Sequence, residues 1–155
     1  MKQDTFEKEI FIVSDVKTVL DLLSDFSHHH EIHPLIEKVE QAAQVPAGLR
    51  RYFITDNLKW GVFKFKIRYR VDIISITENA IYTEAYQTPA TTITNQTTVT
   101  PSQNGVILHE TVTLQAPNLL FGYAFRQAQV AHEEMFKRIK TFIESPHQIQ
   151  GNPPQ

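Results

Sequence analysis

The sequence contains no cysteine, which excludes disulfide bonds, thiolate metal sites and thiol nucleophiles. It also has no apolar run long enough to span a bilayer, and its first ten residues, MKQDTFEKEI, carry charges where a signal peptide would have its apolar core. We therefore expect a cytoplasmic protein with no stable membrane insertion.

Neither sign of charge dominates, because 15 Lys and Arg residues oppose 17 Asp and Glu residues, for a formal net charge of -2. The molecule as a whole therefore has no field that would attract nucleic acid, and we expect no nucleic acid partner. The five glycines do not have the spacing of a dinucleotide fingerprint or a phosphate-binding loop, and no GxSxG elbow is present. We expect no cofactor.

Length sets the number of domains. A chain of 155 residues is long enough for one domain with either a filled core or a core and a pocket. We expect a single domain over residues 1–145. The ending PHQIQGNPPQ has no periodic pattern, and we expect residues 146–155 to be a flexible tail.

Seven segments of the chain alternate apolar and polar residues, as half-buried strands do. The predicted strands cover residues 5–13, 36–43, 49–55, 59–76, 81–87, 91–100 and 106–115. The turns between the last six are short, and one of them is assigned to Asp56-Asn57, so neighbouring strands should be antiparallel. Between the first two strands, Ser14 or Asp15 can cap a short helix, and a second short segment ends at Pro34.

One long helix is predicted from Asn118 to about Glu144, with an apolar stripe from Phe121 to Phe142 and charged pairs on its other side. A sheet with one apolar face needs a cover, and this helix is the only long cover in the sequence. The fold class is therefore α+β: a seven-stranded antiparallel sheet with a long C-terminal helix and two short helices between strands 1 and 2.

The predicted strand at 59–76 carries a basic stripe of four side chains on one face: Lys64, Lys66, Arg68 and Arg70. Such a stripe is typical of the solvated outer face of a long strand, and it is also what a phosphate-binding surface would require. We favour the solvated face.

The order of these elements resembles the SRPBCC superfamily, as do the junction DFSHHHEIHPLIEKVE and the ending TLQAPNLLFGYAFRQAQVAHEEMFKRIKTFIE. That superfamily includes START lipid-transfer domains, birch-pollen-allergen-like proteins, and the polyketide cyclase/dehydrase and lipid-transport family. The resemblance covers about residues 4–144 and implies a helix-grip fold, in which a curved sheet wraps the long helix and leaves a largely apolar cavity. It bears on fold more directly than on activity.

Four of the seven histidines lie within six positions, in HHHEIH. His29 and His33 are four residues apart and could share a helix face as metal ligands, but HExxH is absent because position 34 is Pro34. We therefore predict no metal site. The junction resembles a family segment with a His before a Pro, so His33 is expected to face inward near the cavity, with His28 to His30 solvated in a turn.

Glu110 is the main polar candidate, because it lies in phase with the apolar residues of its strand. Burial would raise the pKa of such a carboxyl and make it a polar anchor or a general acid/base, whereas a bulge would let it reach water. His132 lies on the apolar stripe of the long helix, as either a core residue or a second acid/base group. Whether Glu110 and His132 meet cannot be read from the pattern.

Other ligand-binding candidates come from the strands and the helix. Asn95 and Thr97 share a phase with apolar residues, so they either line a pocket or belong to a Thr-rich strand with a wet face. Aromatic residues could form walls, although a closed core would use the same residues. These residues are Trp60, Phe63, Phe65, Tyr69, Phe121 and Phe125.

Three functions fit the resemblance. The first is binding of a small hydrophobic or lipid-like molecule, oriented by Asn95, Glu110 and His132. The second is an enzyme resembling polyketide cyclases or dehydratases, with Glu110 or His132 transferring a proton. The third is a protein-binding module similar to Hsp90-activator-like members, contacting an acidic partner through the basic stripe.

Overall fold

The computed structural model describes residues 1–145, so the predicted tail at 146–155 lies outside the described residues. Its seven strands are β1 (Lys2–Ile12), β2 (Ile36–Gln41), β3 (Arg50–Trp60), β4 (Phe63–Ile76), β5 (Ala80–Gln87), β6 (Thr91–Ser102) and β7 (Gly105–Ala116). Two α-helices, α1 (Val16–Ser24) and α2 (His29–Ile32), lie between β1 and β2, with a short 3-10 turn at Phe26–His28 between them, and α3 (Asn118–Glu144) follows β7.

All seven strands form one antiparallel sheet in the order β1-β7-β6-β5-β4-β3-β2. Strands β2 to β7 are neighbours in sequence as well as in the sheet, because their connections are short enough only for antiparallel return. Strand β1 completes the sheet by pairing with β7, from Lys2 opposite Ala116 to Ile12 opposite Val106. The predicted α+β fold with a seven-stranded antiparallel sheet is confirmed.

The helices cover one face of this sheet. Asp15 caps α1, since its carboxylate accepts a hydrogen bond of 2.8 Å from the backbone N–H of Thr18. Helix α3 contacts β1, β7 and α2, and its core side includes Ala131, Met135 and Ile139. The predicted solvent-side pairs of α3 are present as Glu133–Lys137 and Glu134–Arg138. No helix among residues 1–145 is both long enough and apolar enough to cross a bilayer.

The turn predicted at Asp56-Asn57 is wrong. Strand β3 continues through both residues to Trp60, and the hairpin turns instead at Gly61 and Val62. Gly61 has a φ of +61°, which favours glycine, and Asp56 remains in the strand because Tyr69 on β4 donates a hydrogen bond to its carboxylate. The β3–β4 hairpin is therefore longer than the sequence predicts.

This longer hairpin also changes the exposure of β4. The alternation predicts one buried face and one wet face along the whole strand, but Phe63 and Phe65 at its start are exposed. At the other end Asp72 is buried on the nominally wet face, because Arg51 on β3 donates two hydrogen bonds to its carboxylate, of 2.7 and 2.9 Å. The pattern holds only in the middle of the strand.

Candidate functional site

A chamber of about 340 Å³ lies between the sheet and the N-terminal half of α3. Strands β3 and β4 supply one wall, the connection between β5 and β6 supplies a second, and α3 from Leu120 to His132 supplies the third. Most of its lining side chains are apolar, and its carboxyl and imidazole groups are those of Asp56, His33 and His132. We call this space the outer chamber.

A second chamber of about 120 Å³ lies beneath α1 and α2, and we call it the inner chamber. Its polar lining includes Asn95, Thr97 and Glu110. The two chambers share four lining residues, His33, Tyr69, Ile93 and His132, which therefore stand at the boundary between them. A molecule in the outer chamber would meet these four side chains at its inner end.

Glu110 and His132 form a buried pair at this boundary. The Nδ1 of His132 lies 2.6 Å from Oε1 of Glu110, and the Glu110 residue is 2% exposed. Burial lowers the pKa of His132, but the charge of Glu110 and its hydrogen bond raise it by more, so the pKa is raised overall. The contact fixes the tautomer and orientation of the ring and leaves Nε2 without a hydrogen-bond partner among residues 1–145.

Asn95 and Thr97 support the same carboxylate. The Asn95 side-chain amide donates a hydrogen bond of 2.6 Å to Oε2 of Glu110, and the Thr97 hydroxyl donates one of 3.1 Å to the Asn95 carbonyl oxygen. Both carboxylate oxygens of Glu110 are therefore engaged, which is how a buried carboxylate is stabilised without water. The structure brings Asn95, Thr97, Glu110 and His132 together in one hydrogen-bonded chain.

Asp56 was assigned to a turn, yet it lines the outer chamber as a buried carboxyl. Burial raises the pKa of Asp56 to about 6, although the hydrogen bond that the Tyr69 hydroxyl donates to it acts in the opposite direction. The sequence holds a signal for this position, because Asp56 is in phase with Tyr52, Ile54 and Leu58, which are all buried. Tyr69 thus joins the site as the partner of a carboxyl that sequence reasoning missed.

The histidine cluster divides into buried and exposed members. His33 borders both chambers; its Nδ1 accepts a hydrogen bond from the Leu35 N–H, and burial lowers its pKa well below the usual value, so the neutral ring carries its proton on Nε2. The prediction that His28 to His30 are all solvated is wrong for His29, which is buried against Phe26 with Nε2 3.3 Å from the Leu22 carbonyl oxygen. No group of three or more His, Asp or Glu side chains within residues 1–145 is placed to hold a metal ion.

The aromatic candidates separate in the same way. Trp60, Phe65 and Tyr69 line the outer chamber, and the Trp60 ring stacks on Tyr123 with centroids 4.8 Å apart. Phe121 and Phe125 instead stack on each other in a second core cluster beside β7, and neither lines a chamber. Phe63 projects from the hairpin into solvent.

Three of the four side chains of the basic stripe already have partners. Lys66 pairs with Glu37, Arg68 with Glu40 and Arg70 with Asp72, whereas Lys64 has no ion pair among residues 1–145. Pairing of this kind is typical of a solvated outer sheet face, because three of the four cations are balanced locally.

Comparison with solved structures places the fold among known proteins. The di-domain ARO/CYC StfQ from the steffimycin biosynthetic pathway matches with a TM-score of 0.75 and 16% identity, over 92% of this chain and 51% of that one. A START superfamily protein from Mycobacterium smegmatis matches with a TM-score of 0.71 and 15% identity, over 90% of this chain and 97% of that one. The Zhui aromatase/cyclase from Streptomyces matches with a TM-score of 0.66 and 14% identity, over 92% of this chain and 94% of that one.

No protein-family model matches the sequence, and no curated protein matches it either. The chain spans about half the length of StfQ, so it is similar to one half of that di-domain protein. Identities near 15% establish the fold and leave the activity open. The chain has the helix-grip fold that START superfamily proteins and polyketide aromatase/cyclases share, as its resemblance to the SRPBCC superfamily predicts.

Proposed function

We propose that this protein binds a small hydrophobic molecule in the outer chamber, with the polar end of that molecule at the His33–His132 boundary. The observation that carries the proposal is the chamber itself: about 340 Å³ of mostly apolar space that ends at a few fixed polar side chains. Binding sites for small molecules have this composition and size. The neighbours described as START and aromatase/cyclase proteins support the same assignment by their fold.

The fixed polar groups define the chemistry of the polar end. His33 carries its proton on Nε2. The raised pKa of His132 favours its imidazolium form, in which Nε2 is a donor as well. Both rings border the chamber, so they favour a ligand with a carbonyl or phenolate oxygen there. Asp56 adds an acceptor for a hydroxyl group.

Ligand binding is tested first by native mass spectrometry of the purified protein against its denatured mass, and then by calorimetric titration with 2-naphthol. The Ala128→Phe variant fills the outer chamber, whereas Val130→Phe places the same ring on the exposed side of α3. We expect Ala128→Phe to weaken 2-naphthol binding by at least about tenfold, equivalent to 1.4 kcal/mol. Val130→Phe should bind as the parent protein does.

The proposal fails if the purified protein carries no bound species and 2-naphthol does not bind. It also fails if Ala128→Phe, folded by circular dichroism, binds 2-naphthol as tightly as the parent. A bound species released on denaturation would instead give the mass of the natural ligand and the start of its identification.

The Glu110–His132 pair favours a second candidate, an enzyme that transfers a proton at carbon next to a carbonyl group. In this scheme neutral His132 takes the proton from carbon, the C–H electron pair moves into an enolate, and the Glu110 carboxylate stabilises the imidazolium that forms. A carboxylate that orients a histidine and raises its pKa makes that ring a stronger base.

Deuterium exchange tests this candidate without knowledge of the natural substrate. The C2 protons of 1-phenylbutane-1,3-dione in deuterium oxide should exchange faster with the protein than with buffer. His132→Gln should lose about 100-fold or more of that acceleration, in the range of general acid–base catalysis. Acceleration that persists in His132→Gln would assign the chemistry elsewhere.

A further inference from the structure

The tip of the β3–β4 hairpin carries a group of large apolar side chains in solvent. Val62 is 91% exposed, Phe63 is 74% exposed and Trp60 is 53% exposed. Leu119, in the first turn of α3, is 92% exposed. We define these four residues, with Lys59 and Lys64, as the hairpin surface. Exposed apolar groups of this kind on a soluble domain mark an interaction site.

The hairpin and the start of α3 form one continuous surface. The Tyr123 hydroxyl of α3 donates a hydrogen bond of 2.9 Å to the Lys59 carbonyl oxygen, and the Tyr123 ring stacks on Trp60 at 4.8 Å. Leu119 lies one helical turn before Tyr123, on the same side of α3. The exposed side chains of both elements are therefore held beside one another by defined contacts.

Positive charge lies next to this apolar group, on the other face of the hairpin. Lys59 and Lys64 are directly opposite each other across the hairpin, and neither has an ion pair within the described residues. Residues 57–66 contain three lysines and no acidic residue, and only Lys66 is balanced, by Glu37. Like charges opposite one another destabilise a hairpin, so an anion bound from outside the chain would relieve this repulsion.

From the tip of the hairpin inward, the side chains follow the order that suits the surface of a lipid bilayer, with apolar groups first and aromatic groups behind them. An aliphatic residue and a phenyl ring form the tip, and the stacked Trp60–Tyr123 pair lies behind them. Lys59 and Lys64 lie at the same level of the hairpin on its opposite face, because successive side chains of a strand point to opposite sides. Aromatic rings of this type lie at the headgroup level of membranes, with lysines beside the anionic headgroups. A stable protein interface would instead need about 20–30 residues on each side.

From this arrangement we propose that the hairpin surface docks the protein reversibly on an anionic lipid membrane. Val62 and Phe63 enter the interface, and Lys59 and Lys64 contact lipid phosphates or carboxylates. Trp60 and Tyr123 also line the outer chamber, so docking would place that chamber next to the membrane. Docking goes beyond the proposed ligand binding and does not require an occupied chamber.

Co-sedimentation with vesicles tests the proposal on the full-length chain. Vesicles of phosphatidylcholine mixed with phosphatidylglycerol should bind the protein, whereas vesicles of phosphatidylcholine alone should bind it more weakly. The Lys59→Gln/Lys64→Gln variant should lose about 25-fold in affinity for the mixed vesicles, about fivefold for each lysine. The Val62→Ser/Phe63→Ser variant should lose binding to both, and Val13→Ser, a matched change at an exposed valine far from the hairpin, should lose none.

Four outcomes would overturn the proposal. The first is absence of binding to the mixed vesicles at low salt, where the lysines act most strongly. The second is binding that both hairpin variants retain. The third is equal affinity for the two kinds of vesicle, which would show that the protein does not recognise anionic headgroups. The fourth is a concentration-dependent doubling of mass that Val62→Ser/Phe63→Ser abolishes, which would assign the surface to a second copy of the chain.

Discussion

The Nδ1 of His132 on α3 and the Oε1 of Glu110 on β7 lie 2.6 Å apart in the interior, and they link the long helix to the sheet beneath it. The second oxygen of the same carboxylate accepts a hydrogen bond from Asn95 on β6. One carboxyl therefore connects three elements and also orients a ring that borders both chambers. A test of this pair must separate its effect on the ring from its effect on the fold.

The His132 pKa provides that separation. In Glu110→Gln the charge and the charged hydrogen bond that raise this pKa are lost, and burial, the largest of the remaining effects, lowers it. We expect the His132 ring to titrate above 6.5 in the parent protein and below 6.5 in the variant. The measurement is a nuclear magnetic resonance titration of the ring carbons. Glu9→Gln, at an exposed position of β1, is the control and should leave the pKa of His132 unchanged.

A parent His132 that titrates below 6.5 would contradict the assignment, since burial would then outweigh the pair. An unchanged pKa in a folded Glu110→Gln protein would show that Glu110 is not the group that raises it. Either result would also remove the support for the second candidate function.

Two glycines allow a matched test of the fold. A Cβ at Gly105 would lie 2.3 Å from the backbone oxygen of Ile12 and 2.7 Å from the Phe11 ring, at the point where β7 begins beside β1. A Cβ at Gly122, on the exposed side of α3, would meet nothing within 4 Å. We expect Gly105→Ala to lower the unfolding free energy by about 2 kcal/mol or more, because backbone must move.

The same substitution at Gly122 should raise the unfolding free energy by about 0.5–1 kcal/mol, since alanine favours a helix interior. Urea unfolding followed by circular dichroism measures both variants. Equal effects at the two positions would show that the close approach of β7 to β1 is not as tight as described.

The buried His29 predicts that the unfolding free energy of the protein falls in acid. Burial lowers its pKa to about 4, below the 6.5 of an unfolded chain, so protonation favours the unfolded state. Neutral His29 contributes fully to the unfolding free energy above pH 6.5, and this contribution is lost as the pH falls through about 4. That interval corresponds to about 3 kcal/mol.

The His29→Phe variant removes this term, so we expect its unfolding free energy to depend less steeply on pH between 7 and 4 than that of the parent. Urea unfolding at several pH values in this range measures the slope. His30→Phe, at an exposed position of the same short helix, should keep the parent slope. Equal slopes for the parent and His29→Phe would mean that His29 reaches water.

Local patterns predicted the elements and the phase of the main polar residues. The period of two along β7 placed Glu110 on the apolar face, and the period of 3.6 along α3 placed His132 on the helix stripe. Their contact could not be predicted, because it depends on how far α3 is shifted along the sheet. That shift is set by the packing of many side chains, and no spacing within one element encodes it.

Partners distant in sequence overrode local preference at Asp56 and His29. Asp and Asn favour turns because their side chains bond nearby backbone, but a hydroxyl 13 residues away satisfies Asp56 in a strand. His29 lies in a polar run, yet the Phe26 ring and the Leu22 carbonyl oxygen bury it. In both cases the partner is visible in the sequence only after the fold is known.

Asp56 gives the prediction that bears most directly on function. Its rise in pKa from 3.8 to about 6 corresponds to about 3 kcal/mol of destabilisation in the charged form. A raised pKa makes the folded state bind protons more readily, so the parent should lose stability as the pH rises from about 4 through about 6. Asp56→Asn keeps the shape and an acceptor for the Tyr69 hydroxyl without the charge. It should therefore be more stable than the parent at pH 7 by up to about 3 kcal/mol, and equal to it below pH 4.

Urea unfolding at pH 7 and below pH 4 measures this difference, with Asp21→Asn on the exposed side of α1 as the control. A stabilised Asp56→Asn that binds 2-naphthol more weakly would identify Asp56 as a carboxyl retained for the ligand at the expense of the fold, whereas a variant of unchanged stability would show that the carboxylate is already solvated.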